Sequence, residues 1–460
     1  MRLQILHTND VHSNFENFAK AVTKIKELKD DHTLVLDAGD FADFKRMELH
    51  GTKGKAALEL LEYSGYDAYT IGNNELFCGI DITSYMASVS KVPMISSNVY
   101  HLDDQPVQEV KKSVLLNKQG LRILIIGVSP DLGPFNELGG YTIRNYMEAI
   151  TGELETNRGN YDLCILLSHL GMDYDQEIAQ KLEDIHIIIG GHFHLLLQEP
   201  ITVHNTIILT AGSNGEYLGS LTLEAEQQKV TLLSGETIDV SCCKPDDGIL
   251  QLLKENKEKA IEVLSEPLYE IDRDLWHDIT EENPMTNFLA DALRDVLGCE
   301  LGLINSGILN GGIRKGPVSR KKLIELAPSP LNPTRYELQG SAILEALQCS
   351  LDTDVCYADG KGPGFRGKYV GRLHVSNALI ELEGRTVANV YINGAKLIPD
   401  RWYTVASSDY LQRGTGYPTL SSDKNVTFHK EFIRDTLKDY LSRKEFVKNA
   451  FQDRWLSSHL

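Results

Sequence analysis

The 460-residue chain reads as an α/β protein of two domains, and three observations predict it. Short apolar runs recur through the first half, and each ends on metal-type side chains. Beyond Pro245 the apolar residues shift to helical spacing. A hydrophobic content of 42% is enough to fill two or three cores in a chain of this length.

The run RLQILH (2–7) predicts a buried strand leading into Asn9-Asp10-Val11-His12, and TLVLDAGD (33–40) predicts a second that ends on Asp40. Residues 69–71 precede Gly72-Asn73-Asn74-Glu75. CILLSH ends at His169, and HIIIGGHFH carries His192 and His194 just past its apolar stretch. Each polar residue therefore sits where an α/β sheet presents its loops, at the C-terminal ends of its strands.

Asp10, His12, Asp40, Asn73, His169, His192 and His194 form the expected metal site. In Asp10-x-His12 and His192-x-His194 an extended backbone would lean both side chains of a pair to one face. A donor set of imidazole, carboxylate and amide oxygen suits Mn, Zn, Fe or Co. A hydrolase with two divalent ions about 3.5–4 Å apart needs a ligand that bridges them. Asp40 is assigned that place, with Asp10, His12 and His194 at one ion and Asn73, His169 and His192 at the other. A lone His after a strand is more often a hydrogen-bonded structural residue. Seven in order, with Gly beside Asp40, Asn73 and His192 to let backbone approach, are not explained that way.

Asp10-x-His12, Gly39-Asp40, Gly72-Asn73-x-Glu75, Ser168-His169 and Gly190-Gly191-His192-x-His194 resemble the calcineurin-like metallophosphoesterases. More narrowly, the chain resembles the 5′-nucleotidase and UDP-sugar hydrolase family. The narrower match rests on the segment from Glu282 to Ala292, similar to the opening of that family's C-terminal domain, and on Asn305-Ser306-Gly307 and Gly312-Ile313-Arg314, similar to its anion-binding segment. The resemblance implies a four-layer α/β/β/α metallophosphoesterase sandwich followed by a C-terminal α/β substrate-binding domain.

Two departures from the family pattern matter. After the metal-binding Asn the family continues His-Glu-Phe-Asp, whereas Asn74-Glu75-Leu76-Phe77 stands here. Asn74 can donate a hydrogen bond to a phosphoryl oxygen but cannot transfer a proton, and Phe77 cannot orient a partner by hydrogen bonding. Losing a positioned acid costs roughly 10²–10⁴ in rate, which shifts the expectation toward good leaving groups such as anhydrides or diesters. The family's Gly-Gly-Asp-Gly-Tyr is replaced by Arg413-Gly414-Thr415-Gly416-Tyr417, so the Asp implied to bind ribose hydroxyls has become Thr415.

The resemblance implies two aromatic faces that sandwich a base, with Phe365 and Tyr410 as candidates and Tyr417 in reserve. Arg314 is the expected anion contact, since a guanidinium fork matches phosphate. Asn305, Arg366 and Arg372 are further candidate substrate contacts. With Asn74, Arg314 is expected to absorb charge on the equatorial phosphoryl oxygens.

A formal charge of −19 and a pI near 5.2 argue against a nucleic-acid groove. No apolar stretch is long enough to span a membrane. Met1-Arg2 leads straight into a strand, so a chain complete at Met1 is expected to stay in the cytoplasm. The seven cysteines lack a C-x-x-C pattern and are expected to be reduced.

The expected organisation is a metal domain over residues 1–235, a linker helix within 236–264 and a substrate domain over 265–460. Helices are expected over 245–263, 285–297, 341–351 and 426–440. The expected function is metal-dependent hydrolysis of a small, nucleotide-derived phosphate ester or anhydride. Rival readings are a phosphodiesterase or pyrophosphatase acting on cyclic nucleotides or UDP-sugars, and a nucleotide-binding sensor with vestigial turnover. Oligomeric state is not encoded in any motif.

Overall fold

A computed structural model describes residues 2–226, 229–362 and 364–457, and the chain divides into two compact units, 1–261 and 262–460. The first is built on two six-stranded sheets. Arg2–Thr8, Thr33–Asp37, Ala68–Thr70 and Met94–Ile95 pair in parallel, and Tyr217–Glu226 with Lys229–Asp239 close one edge antiparallel. In the second sheet Leu121–Val128, Leu163–Ser168, Ile187–Gly190 and Thr206–Leu209 run parallel between two antiparallel edge strands, Ser113–Lys118 and Ile201–Val203.

Alternation along these strands decides the layering, because successive side chains point to opposite faces. Leu3, Ile5, Leu34 and Leu36 of one sheet share a buried core with Ile125, Ile165, Leu167, Ile187 and Ile189 of the other. The opposite faces are covered by helices. Leu6, Val35 and Tyr69 pack with Phe18, Val22, Leu60 and Met86, while Leu124, Cys164, Leu166 and Ile188 pack with Ile150, Leu154 and Ile178. Strands buried on both faces are apolar at nearly every position, which is why they read as continuous runs. The result is an α/β/β/α sandwich.

The second unit packs a five-stranded sheet, a four-stranded sheet and a two-stranded ribbon into a single core. Its central helix is Pro284–Leu297, with Pro at the first turn. Asn283 Oδ1 accepts from Thr286 N at 3.0 Å, and Gly298 closes the helix in a left-handed conformation. The amphipathic segment beyond Pro245 is a helix, Asp247–Leu264.

The helix expected over 426–440 is shorter. Thr427–Phe428 pairs as an edge strand with Thr334 and Arg335, and the helix runs only over Ile433–Tyr440. Val426, Thr427 and Phe428 are β-branched or aromatic and fit the open sheet edge better than a first helical turn. Among the described residues no helix is long and apolar enough to cross a membrane. None of the seven cysteines is disulfide-bonded.

Candidate metal centre

Five strands of the first unit point their C-terminal ends at one place, three from one sheet and two from the other. Asp10 and His12 follow Arg2–Thr8, Asp40 follows Thr33–Asp37, and Asn73 follows Ala68–Thr70. His169 follows Leu163–Ser168, and His192 and His194 follow Ile187–Gly190. The first two loops are tied together beyond their strands: Asp10 N donates to Gly39 O at 2.9 Å, and His12 N to Asp40 O at 2.8 Å.

The side chains converge. Asp10 Oδ1 lies 3.6 Å from His12 Nε2, 3.5 Å from His194 Nε2 and 3.8 Å from His169 Nε2. Asp40 Oδ2 lies 3.7 Å from His12 Nε2 and 3.3 Å from His169 Nε2. The donors fall into two groups able to hold a metal ion, Asp10 with His12 and His194, and Asp10 with Asp40 and His169. Asp10 is common to both groups, and Asp40 Oδ2 faces both His12 and His169. The His192 ring packs against His169 with centroids 5.2 Å apart.

Among the expected metal ligands, two buried atoms make no hydrogen bond within the protein, His169 Nε2 and Asn73 Oδ1. His169 Nδ1 is held by Ala38 O at 2.7 Å, which aims Nε2 at the carboxylates. A buried acceptor left open costs about 1–3 kcal/mol unless something outside the protein satisfies it, and a divalent ion does so. The donor set thus fits such an ion.

Backbone geometry departs from expectation. Asp10, His12, Asp40, His192 and His194 all have positive φ, between 47° and 77°, so the i, i+2 pairs sit on tight left-handed turns rather than on extended segments. Non-glycine residues rarely adopt this region, at a cost of order 1–3 kcal/mol each, and it turns both side chains of a pair inward. Gly72 supplies close approach: a Cβ there would lie 2.1 Å from Asp40 Oδ1.

The supports are polar and buried. Asn9, next to the first ligand position, donates to Asp10 Oδ2 and Gly212 O at 2.8 Å each, and its Oδ1 accepts from Ala211 N at 2.8 Å. Glu75 accepts from Gly72 N at 2.8 Å, Ala42 N at 2.7 Å and Asp40 N at 3.1 Å, clamping two ligand loops together. Asp43 Oδ2 stands 4.0 Å from His12 Nδ1. The sequence reading gave these three no supporting role. The signals present were Asn9 beside Asp10 and Glu75 three residues after Gly72, the spacing of a capping box.

Burial disfavours both charges of the Asp40–His169 pair, yet each outweighs that cost in the other. Asp40 is held below the usual carboxylate range, and His169, facing Asp40 and Asp10, is raised. Burial and then the Asp40 charge push Glu75 up to about 7. Asn74 does not reach outward as expected. Its Nδ2 donates to Asp40 Oδ2 at 2.6 Å and its backbone N to Asp40 Oδ1 at 2.7 Å, because the first turn of the short helix Asn73–Leu76 faces that carboxylate.

The expected substrate residues of the second unit are placed differently from the sequence reading. Phe365 and Tyr410 stack directly, with ring centroids 4.5 Å and planes 24° apart, and both are buried. A base between them needs about 7 Å, twice a ~3.5 Å contact, so the sandwich is closed by the two rings burying each other. Tyr417 is a core anchor whose hydroxyl donates to Gly371 O at 2.7 Å. Asn305 is fully buried with Nδ2 on Val370 O at 2.6 Å. Arg372 is taken up by Thr280 O at 3.1 Å and the Trp455 ring at 4.3 Å. Arg366 donates back to Phe365 O at 3.2 Å, and Arg314 is exposed in a loop.

A double sheet sandwiched by helices, with carboxylates and imidazoles converging from four strand ends, defines the phosphoesterase class. The calcineurin-like phosphoesterase family model matches residues 3–196, and that of the 5′-nucleotidase C-terminal domain matches residues 261–422. The chain belongs to the calcineurin-like phosphoesterases that carry a 5′-nucleotidase C-terminal domain, and is a metal-dependent phosphoester hydrolase.

Among its relatives is the uncharacterized metallophosphoesterase YunD of Bacillus subtilis (strain 168), 28% identical over 95% of this chain and 98% of that one. A 5′-nucleotidase of Vibrio parahaemolyticus is 23% identical over 96% and 89%. The solved Haemophilus influenzae NAD nucleotidase shares the fold at a TM-score of 0.67, with 16% identity and full coverage of both chains.

Proposed function

We propose that the protein hydrolyses phosphate esters or anhydrides of nucleotides with two divalent ions, Mn, Zn, Fe or Co. Asp10, His12 and His194 would hold one ion and Asn73, His169 and His192 the other, with Asp40 between them. The observation that carries this reading is the fully buried Nε2 of His169, which makes no hydrogen bond within the protein and faces two buried carboxylates. Relatives named as 5′-nucleotidases support the nucleotide as substrate. When bound, such ions neutralise phosphoryl charge and acidify a water molecule.

The chain's own residues orient this site. Glu75 fixes the two loops that present Asp40 and Asn73, Asn9 fixes Asp10, and Ala38 O fixes the tautomer of His169. The amide of Asn74 lies on Asp40 and cannot transfer a proton, so leaving groups that depart without protonation are favoured.

The test is phosphate release by Mn-loaded protein from nucleoside mono- and diphosphates, UDP-glucose and cyclic nucleotides. Asp40→Asn is expected to abolish turnover and to lower bound metal. A variant with full rate would overturn the assignment. Tight binding of intact nucleotide with no product above the variant would replace hydrolysis with sensing.

A further inference from the structure

One fully buried carboxyl of the first unit takes no part in the cluster or in the supports around it. Asp175 lies on the helix Met172–Lys181, whose buried residues are Asp175, Ile178 and Ala179. Spacings of three and four place all three on one face, where Ile178 and Ala179 join a core with Leu166 and Ile188. The helical pattern calls for an apolar side chain at 175. The carboxyl that stands there is completely enclosed, and among the described residues no donor reaches either of its oxygens at hydrogen-bond geometry. Burying an unsatisfied polar group destabilises a fold, and residues that break both the pattern and this rule gather at functional sites.

The neighbours of Asp175 are the ends of two paired strands, Leu163–Ser168 and Ile187–Gly190, where Ser168 and Gly190 stand opposite each other in register. A Cβ on Gly190 would lie 2.5 Å from Asp175 Oδ2 and 2.8 Å from Thr210 Cγ2, so the carboxyl packs on the bare backbone of that strand end. Thr210 Oγ1 in turn donates to Leu195 O at 2.6 Å, one residue beyond His194. On the neighbouring strand Ser168 Oγ accepts from Leu170 N at 3.4 Å, closing a turn around His169. That bond uses a lone pair of the Ser168 oxygen and leaves its hydroxyl hydrogen for another acceptor. Burial pushes Asp175 up to about 7, while the Ser168 side chain and the His169 charge pull it down.

We infer that Asp175 is a positioning residue for the metal cluster, bracing through Ser168 and Gly190 the two strand ends that present His169, His192 and His194. The inference rests on the proposed metal site and adds what holds three of its imidazoles in place. An acceptor at 175 orients the Ser168 hydroxyl, Ser168 fixes the turn to Leu170, and His169 is carried by that turn. The carboxyl pressed on Gly190 sets where the backbone leaves the strand toward His192. Stability lost to an unsatisfied buried group is here exchanged for geometry at the site.

The test compares stability without metal to affinity for Mn. Asp175→Ala removes the carboxyl without crowding the core, and Asp175→Asn keeps an acceptor of the same shape. Thermal unfolding in a chelator reads the first quantity, and competition with a chelating dye reads the second. Asp175→Ala is expected to unfold at the parent's Tm or above it and to bind Mn about 10–100-fold more weakly, with Asp175→Asn restoring most of the affinity.

A merely structural residue gives the opposite pattern. An Asp175→Ala protein that fails to fold or has a lower Tm without metal, or an Asp175→Asn protein no better at binding than Asp175→Ala, overturns the inference. Parent and Asp175→Ala proteins that bind Mn alike, within about twofold, refute the brace alone. A parent protein that binds no Mn refutes the metal assignment itself, and the brace falls with it.

Discussion

Replacing Gly72 by Ala tests the cluster with the smallest perturbation available. Gly72 has φ −90° and ψ −172°, a conformation open to any residue, so the added methyl introduces no backbone strain. It acts through contact alone. The new Cβ would lie 2.1 Å from Asp40 Oδ1 and 2.4 Å from Asp40 N.

To retreat to the 3.4 Å at which ordinary contact begins, the carboxylate must move about 1.3 Å. The loop cannot yield cheaply, since Glu75 binds Gly72 N at 2.8 Å and Asp40 N at 3.1 Å and would lose one of these bonds. A displacement of about 1 Å at a reacting centre costs on the order of 10²-fold in rate, and overpacking a buried site costs about 1–3 kcal/mol of stability. Gly72→Ala is therefore expected to lower kcat/KM about a hundredfold and to reduce bound metal, with a folded circular dichroism spectrum. Activity and metal content both within twofold of the parent would refute the placement of Asp40 against Gly72.

Further expectations concern the supports and the second unit. Asn9→Ala removes the donor that holds Asp10 Oδ2 and is expected to weaken metal affinity about 10–100-fold, read by competition with a chelating dye; unchanged affinity would mean that the His192 N–H, 3.0 Å from the same oxygen, suffices. Asn74→His combined with Phe77→Asp is expected to raise turnover of nucleoside monophosphates, by up to roughly 10²–10⁴, with little gain on diphosphates. An unchanged rate would locate the leaving-group proton elsewhere.

Burial holds His374 neutral, its pKa lowered to about 3, with Nε2 accepting from Asn283 N and Nδ2. Its folded pKa lies below the unfolded value of about 6.5, so its contribution is fully present above pH 6.5 and is lost as pH falls toward 3, up to about 5 kcal/mol. His374→Gln should flatten the acid limb of denaturant unfolding for the second unit, and an identical limb would remove His374 as its cause.

The parts of the fold that were legible in sequence are those where burial leaves no choice. Strands such as Leu163–Ser168 and Ile187–Gly190 are enclosed on both faces and are apolar throughout, and the change to Gly, His and Asp marks where they emerge. The helix Pro284–Leu297 announces itself by its Asn cap, its Pro and its apolar stripe. Other features depend on distant partners. Thr427–Phe428 becomes a strand because an edge beside Thr334 is open, and Asn74 turns inward because Asp40 is there to receive it. The mutual stacking of Phe365 and Tyr410 joins residues 45 positions apart with no periodicity to signal it. The left-handed turns at the cluster are unfavourable for Asp and His taken singly, so local propensity points away from them.

The origin of the donors in two different sheets has a consequence for how the protein matures. Asp10, His12, Asp40 and Asn73 follow strands of one sheet and His169, His192 and His194 strands of the other, so under the proposed assignment neither sheet alone would complete the coordination. Under the proposed assignment, an ion would link the two sheets across the inner core and would be held only once both had formed, so metal uptake would couple to folding of the first unit.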